Sequence, residues 1–225
     1  PARRVVINDL VCEGCGDCGV KSNCVSVQPL MTEWGRKRTI DQSSCNKDYS
    51  CVKGFCPSFV TVHGARLKRG EGVAEPADWP ALPAPTLPQT NHPYGIIVTG
   101  IGGTGIVTIG GIVSMAAHLE GKGVGVIDMA GLAQKGGAVI SDIKITHQPF
   151  AGSPKVSDGR TDLYLGFDIL NATDPKNLDK CLPERTIAIV STTATPTGQM
   201  VANRNVVFPI VPNLTPQNRA KNRRV

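Results

Sequence analysis

The chain has 225 residues, a formal charge of +6 at pH 7 and only 4% aromatic residues. That length holds one large or two modest domains. So few stacking platforms argue against a single-stranded nucleic-acid binder despite the positive charge, and no basic, apolar leader points to secretion.

The chain begins at Pro1 and ends in the charged run NRAKNRRV, and so reads as a piece of a longer polypeptide or a processed form. Its first apolar run, RRVVIND, is short and β-like, and CEGCGDCGVKSNC follows at residues 12–24. The four cysteines of that stretch are spaced C-x2-C-x2-C-x5-C. CVSVQPLM and FVTVHGARL are further short strand-like runs. Between them the basic GRKR, Gly35 to Arg38, sits among turn-like residues and predicts a solvated hairpin tip. Cys45, Cys51 and Cys56 complete the region as C-x5-C-x4-C-P. So little apolar material cannot fold on a core alone and needs a staple.

Residues 76–93, PADWPALPAPTLPQTNHP, carry six prolines. They exclude a helix interior or a central strand and predict a stiff, extended connector. It separates a cysteine domain at 1–75 from an α/β domain at 94–225. There YGIIVTG is a strand and TGIVTIGGIVSMAAHLEGKG a buried helix closing on Gly121 or Gly123. The seven glycines of the charge-free stretch YGIIVTGIGGTGIVTIGGIVSMAAHL argue against a membrane span. VGVID is a second strand, and AVISDIKIT alternates as a strand with one wetter face. DLYLGFD and TIAIVST are further strands. Between them ATDPKNLDKCL starts a short helix with Asp174 as N-cap and Pro175 at its first position. Strands alternating with helices predict a Rossmann-like, mostly parallel, layered sheet.

Seven cysteines lie before the connector: Cys12, Cys15, Cys18, Cys24, Cys45, Cys51 and Cys56. Without a secretory context, disulfides are disfavoured. Zinc sites pair two C-x2-C knuckles or a knuckle with histidines. Here three cysteines recur at two-residue intervals and the last is followed by a proline, the arrangement of bacterial ferredoxins. The spacing favours a ferredoxin-like domain with one [4Fe–4S] cluster on Cys12, Cys15, Cys18 and Cys56. Cys24, Cys45 and Cys51 then form a degenerate second site, or one completed by a non-cysteine ligand. Gly14 and Gly16 let backbone amides point toward sulfur. Cys181, beyond the connector, reads as a small buried hydrophobe near a helix end. In the second region Gly100, Gly102 and Gly105 form G-x-G-x-x-G between a strand and a helix. Asp128, ending the next strand, is a candidate for a ribose hydroxyl. A tight strand–helix turn explains the glycines equally.

The stretch GIGGTGIVTIGGIVSMAAHLEGKGVGVIDMAGLAQKGGAVISDIKI, with Gly136-Gly137 before a strand, resembles the gamma domain of 2-oxoacid:ferredoxin oxidoreductases. CNKDYSCVKGFCPSFVTVHG resembles the cysteine region of the fused indolepyruvate ferredoxin oxidoreductases, in the same order along the chain. The resemblance implies a cytoplasmic enzyme, a homo-oligomer, that oxidatively decarboxylates an aryl pyruvate to an acyl-CoA. It implies thiamine diphosphate with Mg²⁺ in other domains or subunits, coenzyme A as co-substrate and ferredoxin as electron acceptor. Carried to this chain, it makes Gly100, Gly102, Gly103 and Gly105 a candidate phosphate cradle for coenzyme A. No thiamine signature is present, so the catalytic centre is expected elsewhere, with this segment inactive alone and the gamma domain truncated at Val225. Two rival readings are an NAD(P)-linked iron–sulfur oxidoreductase and a non-enzymatic ferredoxin-like electron carrier with a scaffold domain.

Overall fold

The computed structural model describes residues 2–65, 83–88, 90–133, 136–203, 205, 206 and 208. Part of the 76–93 connector and the terminal NRAKNRRV lie outside the described residues. The chain forms two units: Pro1–Leu87 with Gly198–Asn205, and Pro88–Thr197 with Val206–Val225. The short helix Gly198–Ala202 thus packs with the first unit, although the sequence places it in the second.

The first unit is built from two antiparallel ribbons. Strand β1 (Arg3–Ile7) pairs with β4 (Phe59–His63), setting Ile7 opposite Phe59. Strand β2 (Val27–Thr32) pairs with β3 (Gly35–Ile40). Helix α1 (Asp17–Ser22) and a 3₁₀ turn at Ser50–Val52 lie between them in the chain. The unit's central cluster is Val5, Val27 and Ile40, with Cys18, Cys24, Cys45 and Cys51 packed around it, and Met200 and Val201 are also buried. At roughly 1.5–3 kcal/mol per buried aliphatic side chain, that core alone is small against the ordering cost of such a unit.

The basic run departs from its expected place. The hairpin turn is Glu33-Trp34, and Gly35 to Arg38 are in strand β3. Arg38 is 2% exposed. The solvated-tip reading is therefore wrong: charge density alone gives no indication that a strand turns its basic side chains inward.

The second unit carries a five-stranded sheet in the order β6-β7-β5-β8-β9. Its elements in chain order are β5 (Tyr94–Ile101), α2 (Ile106–Leu119), β6 (Gly123–Ala130), β7 (Ala138–Thr146), β8 (Leu163–Gly166), α3 (Ile169–Ala172), α4 (Pro175–Leu178) and β9 (Ile187–Val190). Asp174 caps α4 through the Lys176 N–H, with Pro175 at the first position. Gly121, at φ +74°, terminates α2 by donating its N–H to the His118 carbonyl.

The unit is α/β, but its sheet is mixed. β5 pairs parallel with β8, and β8 with β9, whereas β7 runs antiparallel to both β5 and β6. The direct β6–β7 connection inserts β7 between the two strands that α2 joins, a reversal that alternation of elements does not predict. Two apolar clusters cover the sheet, one around Ile96, Val98, Ile106, Val139 and Ile143, the other around Ile97, Val156, Tyr164 and Ala172.

The wetter face expected of β7 is dry at the middle of the strand. Asp142 is wholly buried and accepts two bonds from Lys180 Nζ, at 2.9 and 3.1 Å, and one from the Val156 N–H. Ser141, also buried, donates to Asp128. Helix α2 is buried on one face only: Ile106, Gly110, Ser114 and Ala117 face the sheet, while Val107, Ile112, Met115 and Leu119 are exposed.

Candidate metal centre

The cysteine segment begins where β1 ends. Asn8 holds that end: its carbonyl accepts from the Val11 and Cys12 N–H groups, its side chain from the Leu10 N–H, and its own N–H donates to the Ser58 carbonyl. Because Ile7 faces Phe59, the segment carrying Cys12 leaves β1 at the end where the Cys56-Pro57-Ser58 segment enters β4. Antiparallel pairing thus brings Cys56 to the same end of the ribbon as the first cysteines.

From Cys12 to Gly16 the loop runs along β3. Lys37 Nζ donates to the Cys12 carbonyl at 2.5 Å. Gly14, at φ +71°, lies so close to β3 that a Cβ there would stand 2.1 Å from the Arg36 carbonyl oxygen. At Gly16, φ +86°, a Cβ would meet Arg38 Nη2 at 2.9 Å. Only glycine fits either position. The Gly14 N–H points to Cys12 Sγ at 3.4 Å, and the Lys47 N–H to Cys45 Sγ at the same distance.

The thiols form two groups. Burial pushes the Cys18 thiol up; the Arg38 charge opposes this, and Cys12 and Cys15 add to it. Burial likewise raises Cys51, with Cys24, Cys45 and the Asp48 carboxylate adding to the rise. Cys12, Cys15 and Cys18 therefore share one electrostatic neighbourhood, and Cys24, Cys45 and Cys51 another. Cys56 Sγ lies 3.0 Å from Ser58 Oγ. None of the cysteines is in a disulfide. Among the described residues no three Cys, His, Asp or Glu side chains converge at metal-binding distance.

Arg38 is the feature that spacing could not reveal. Its Nη1 is buried without a hydrogen-bond partner, and no carboxylate pairs with it among the described residues. A buried guanidinium without an anion is costly. Thiolates holding a metal beside Gly16 would supply the missing negative charge. The donor set, the N–H···S bonds and this orphaned cation together fit an anionic iron–sulfur cluster.

The glycine turn of the second unit is largely committed to structure. A Cβ at Gly100 would meet Ile106 Cδ1 at 2.5 Å, so this glycine lets α2 close on β5. The Gly102 N–H donates to the Gly137 carbonyl, and its carbonyl accepts from the Gly136 N–H. Gly103 and Gly105, at φ +93° and +88°, border open space. Asp128 lies on the edge strand β6, separated from β5 by β7, and is bonded to Ser141, so the ribose role has no support. Cys181 packs in the second apolar cluster, and its Sγ donates to the Asn177 carbonyl at 3.8 Å.

Residues 95–224 match the family described as pyruvate ferredoxin/flavodoxin oxidoreductase. The chain is similar to the indolepyruvate oxidoreductase subunit IorB of Thermococcus kodakarensis, 32% identical over 79 residues, or 35% of this chain and 38% of that protein. It is also similar to the subunit of the same name from Methanothermobacter thermautotrophicus, 35% identical over 79 residues, covering 35% and 39%. The chain thus spans about two fifths of the length of these curated relatives. Among solved structures it is similar to the pyruvate oxidoreductase subunit PORC of Thermotoga maritima, with 19% identity, TM-score 0.37 and coverage of 45% of this chain and 51% of that one. A second is the keto/oxoacid ferredoxin oxidoreductase gamma subunit of Geobacter sulfurreducens, with 24% identity, TM-score 0.30 and coverage of 43% and 60%.

Proposed function

The chain belongs to the pyruvate ferredoxin/flavodoxin oxidoreductase family, and on that premise we propose that it is the electron-transfer and gamma-type segment of an indolepyruvate (aryl pyruvate) ferredoxin oxidoreductase. One observation carries the reading: a single chain joins the family's domain to a unit of seven cysteines, six of which sort into two groups of three. The full reaction takes a 2-oxo acid and coenzyme A to acyl-CoA, carbon dioxide, a proton and two electrons. Thiamine diphosphate and Mg²⁺ belong to other parts of the enzyme, and ferredoxin accepts the electrons.

Within this chain Cys12, Cys15, Cys18 and Cys56 hold one [4Fe–4S] cluster, and Cys24, Cys45 and Cys51 form a second centre. When bound, such clusters pass single electrons. The residues around them do the rest. The Gly14 and Lys47 amides donate to ligand sulfur, Arg38 supplies positive charge, and strand β3 fixes the loop that carries Cys12 and Cys15. In the second unit Gly103 and Gly105 are the open part of the turn, where a phosphate of coenzyme A can approach backbone N–H groups at the start of α2. The exposed apolar residues Val107, Ile112, Met115 and Leu119 of α2 support a covering partner, which we assign to the thiamine-binding parts.

Iron, sulfide and thiamine analysis of the native complex, with mass spectrometry of the intact chain, tests the reading. Iron and acid-labile sulfide in equal amounts, together with thiamine, are expected. Bound nicotinamide, or redox activity in a thiamine-free monomer, would contradict it. A Gly103→Ala enzyme should show a raised KM for coenzyme A with unchanged visible absorption; an unchanged KM would leave the turn purely structural.

A further inference from the structure

The second thiol group offers three cysteines where a cubane takes four ligands. The segment Cys45-Asn46-Lys47-Asp48-Tyr49-Ser50-Cys51 spaces its chemistry as C-x2-D-x2-C. Cys12, Cys15 and Cys18 are spaced C-x2-C-x2-C, so Asp48 occupies the position that Cys15 holds in the first group. In both blocks the remote cysteine follows: Cys24 after the first, Cys56 with its proline after the second. If each cluster takes three ligands from one block and the last from the other, Cys24 falls to the second block, and it is Cys24 and Cys45 that stand around Cys51.

The backbone supports this independently. Among the described residues the non-glycine positions with positive φ are Asn23, Lys47 and Tyr49. Asn23 is the C-cap of α1, its N–H bonded to the Gly19 carbonyl, whereas Lys47 and Tyr49 directly flank Asp48. At Lys47 and Tyr49 such a conformation is strained for a residue with a Cβ, and such strain gathers at ligand clamps. Asp48 stands before the 3₁₀ turn that carries Cys51, and its Oδ1 accepts from the Ser50 N–H and hydroxyl, at 3.0 and 2.9 Å.

We propose that Asp48 is the fourth ligand of the second centre, so that Cys24, Cys45, Asp48 and Cys51 hold a second [4Fe–4S] cluster with one carboxylate corner. This rests on the iron–sulfur reading of the unit given above. A carboxylate is a harder donor than a thiolate, so the iron at that corner is the one most easily lost.

The test is iron analysis and electron paramagnetic resonance of the full native chain, purified anaerobically, as wild type and as Asp48→Ala, Asp48→Asn and Asp48→Cys. Wild type should hold about eight irons, the content of two cubanes. Asp48→Ala and Asp48→Asn should lose iron from one centre only, although Asn retains an acceptor for Ser50. Asp48→Cys should keep the wild-type iron content with an altered spectrum and potential for that one centre. Full iron with unchanged spectra in Asp48→Ala would overturn the assignment. So would loss of the second centre in Asp48→Cys as well as Asp48→Ala, since the position would then be needed for structure rather than ligation. Wild-type protein with about four irons would also overturn it while leaving the Cys12 group's cluster intact. Iron-free wild-type protein would instead sink the iron–sulfur reading itself.

Discussion

Replacing Arg38 by Met removes one buried positive charge while keeping an unbranched side chain of comparable reach. Arg38 Nη2 lies beside Gly16 of the cysteine loop, and Nη1 is buried without a hydrogen-bond partner. A cluster becomes one charge more negative on reduction, so a nearby cation favours the reduced form. For a separation of about 8 Å and an effective dielectric constant of about 20, that preference is worth about 2 kcal/mol. For a one-electron couple this corresponds to a fall of about 90 mV when the charge is removed. A redox titration followed by electron paramagnetic resonance reads the shift directly. The Cys12 group's centre should move to lower potential while the other stays close to its wild-type value, and Arg38→Lys should recover most of the loss. A centre that keeps its iron and its potential in Arg38→Met would refute the pairing of this cation with the thiolates. Equal shifts in both centres would refute it too.

Three further outcomes follow from the packing. Lys180→Met strands the wholly buried Asp142 carboxylate and should cost about 3–5 kcal/mol; Asp142→Leu combined with it should recover most of that in thermal melts, whereas a small loss in the single variant would show the pair to be dispensable. Gly14→Ala puts a Cβ against the Arg36 carbonyl and should lower the iron content, while Gly35→Ala, at φ +93° with open space around it, should bind iron normally; equal iron in both would separate the loop's packing from its metal. Burial raises the Cys181 thiol, so its thiolate is scarce at neutral pH and alkylation should accelerate only above the ordinary thiol range, with iron content unaffected by Cys181→Ala; rapid labelling at pH 7 or lost iron would contradict its place in the apolar cluster.

Much of the fold was legible because local signals agreed with one another. The Asp174-Pro175 start of α4, the Gly121 stop of α2 and the apolar strand runs all specify structure within a few residues. Strand β7 was recognised, but not its direction, since antiparallel insertion depends on which edge is open once α2 has crossed the sheet. Its polar residues look solvent-facing, because period two distinguishes faces without saying what covers them; Lys180, thirty-eight positions away, is what pairs the buried Asp142. The cysteines stand out by spacing, but Cys24, which closes the first block, neighbours Cys45 and Cys51 of the second. The role of β3 was not legible. Arg36, Lys37 and Arg38 look like a solvated charge run, and only the ribbon's register turns them toward the cysteine loop and the short helix Gly198–Ala202. The glycine turn suggested a dinucleotide site, yet half of it is occupied in closing α2 against β5 and in bonding to Gly136 and Gly137.

On the proposed function, electrons from 2-oxoacid oxidation pass through this chain's cysteine unit. This route is tested most directly by mixing the native complex anaerobically with an aryl pyruvate and coenzyme A, without ferredoxin, and freezing samples for electron paramagnetic resonance. Substrate should reduce the centre whose potential Arg38→Met displaces, and added ferredoxin should reoxidise it. A centre that dithionite reduces but substrate leaves oxidised, in a complex that still turns over, would contradict it.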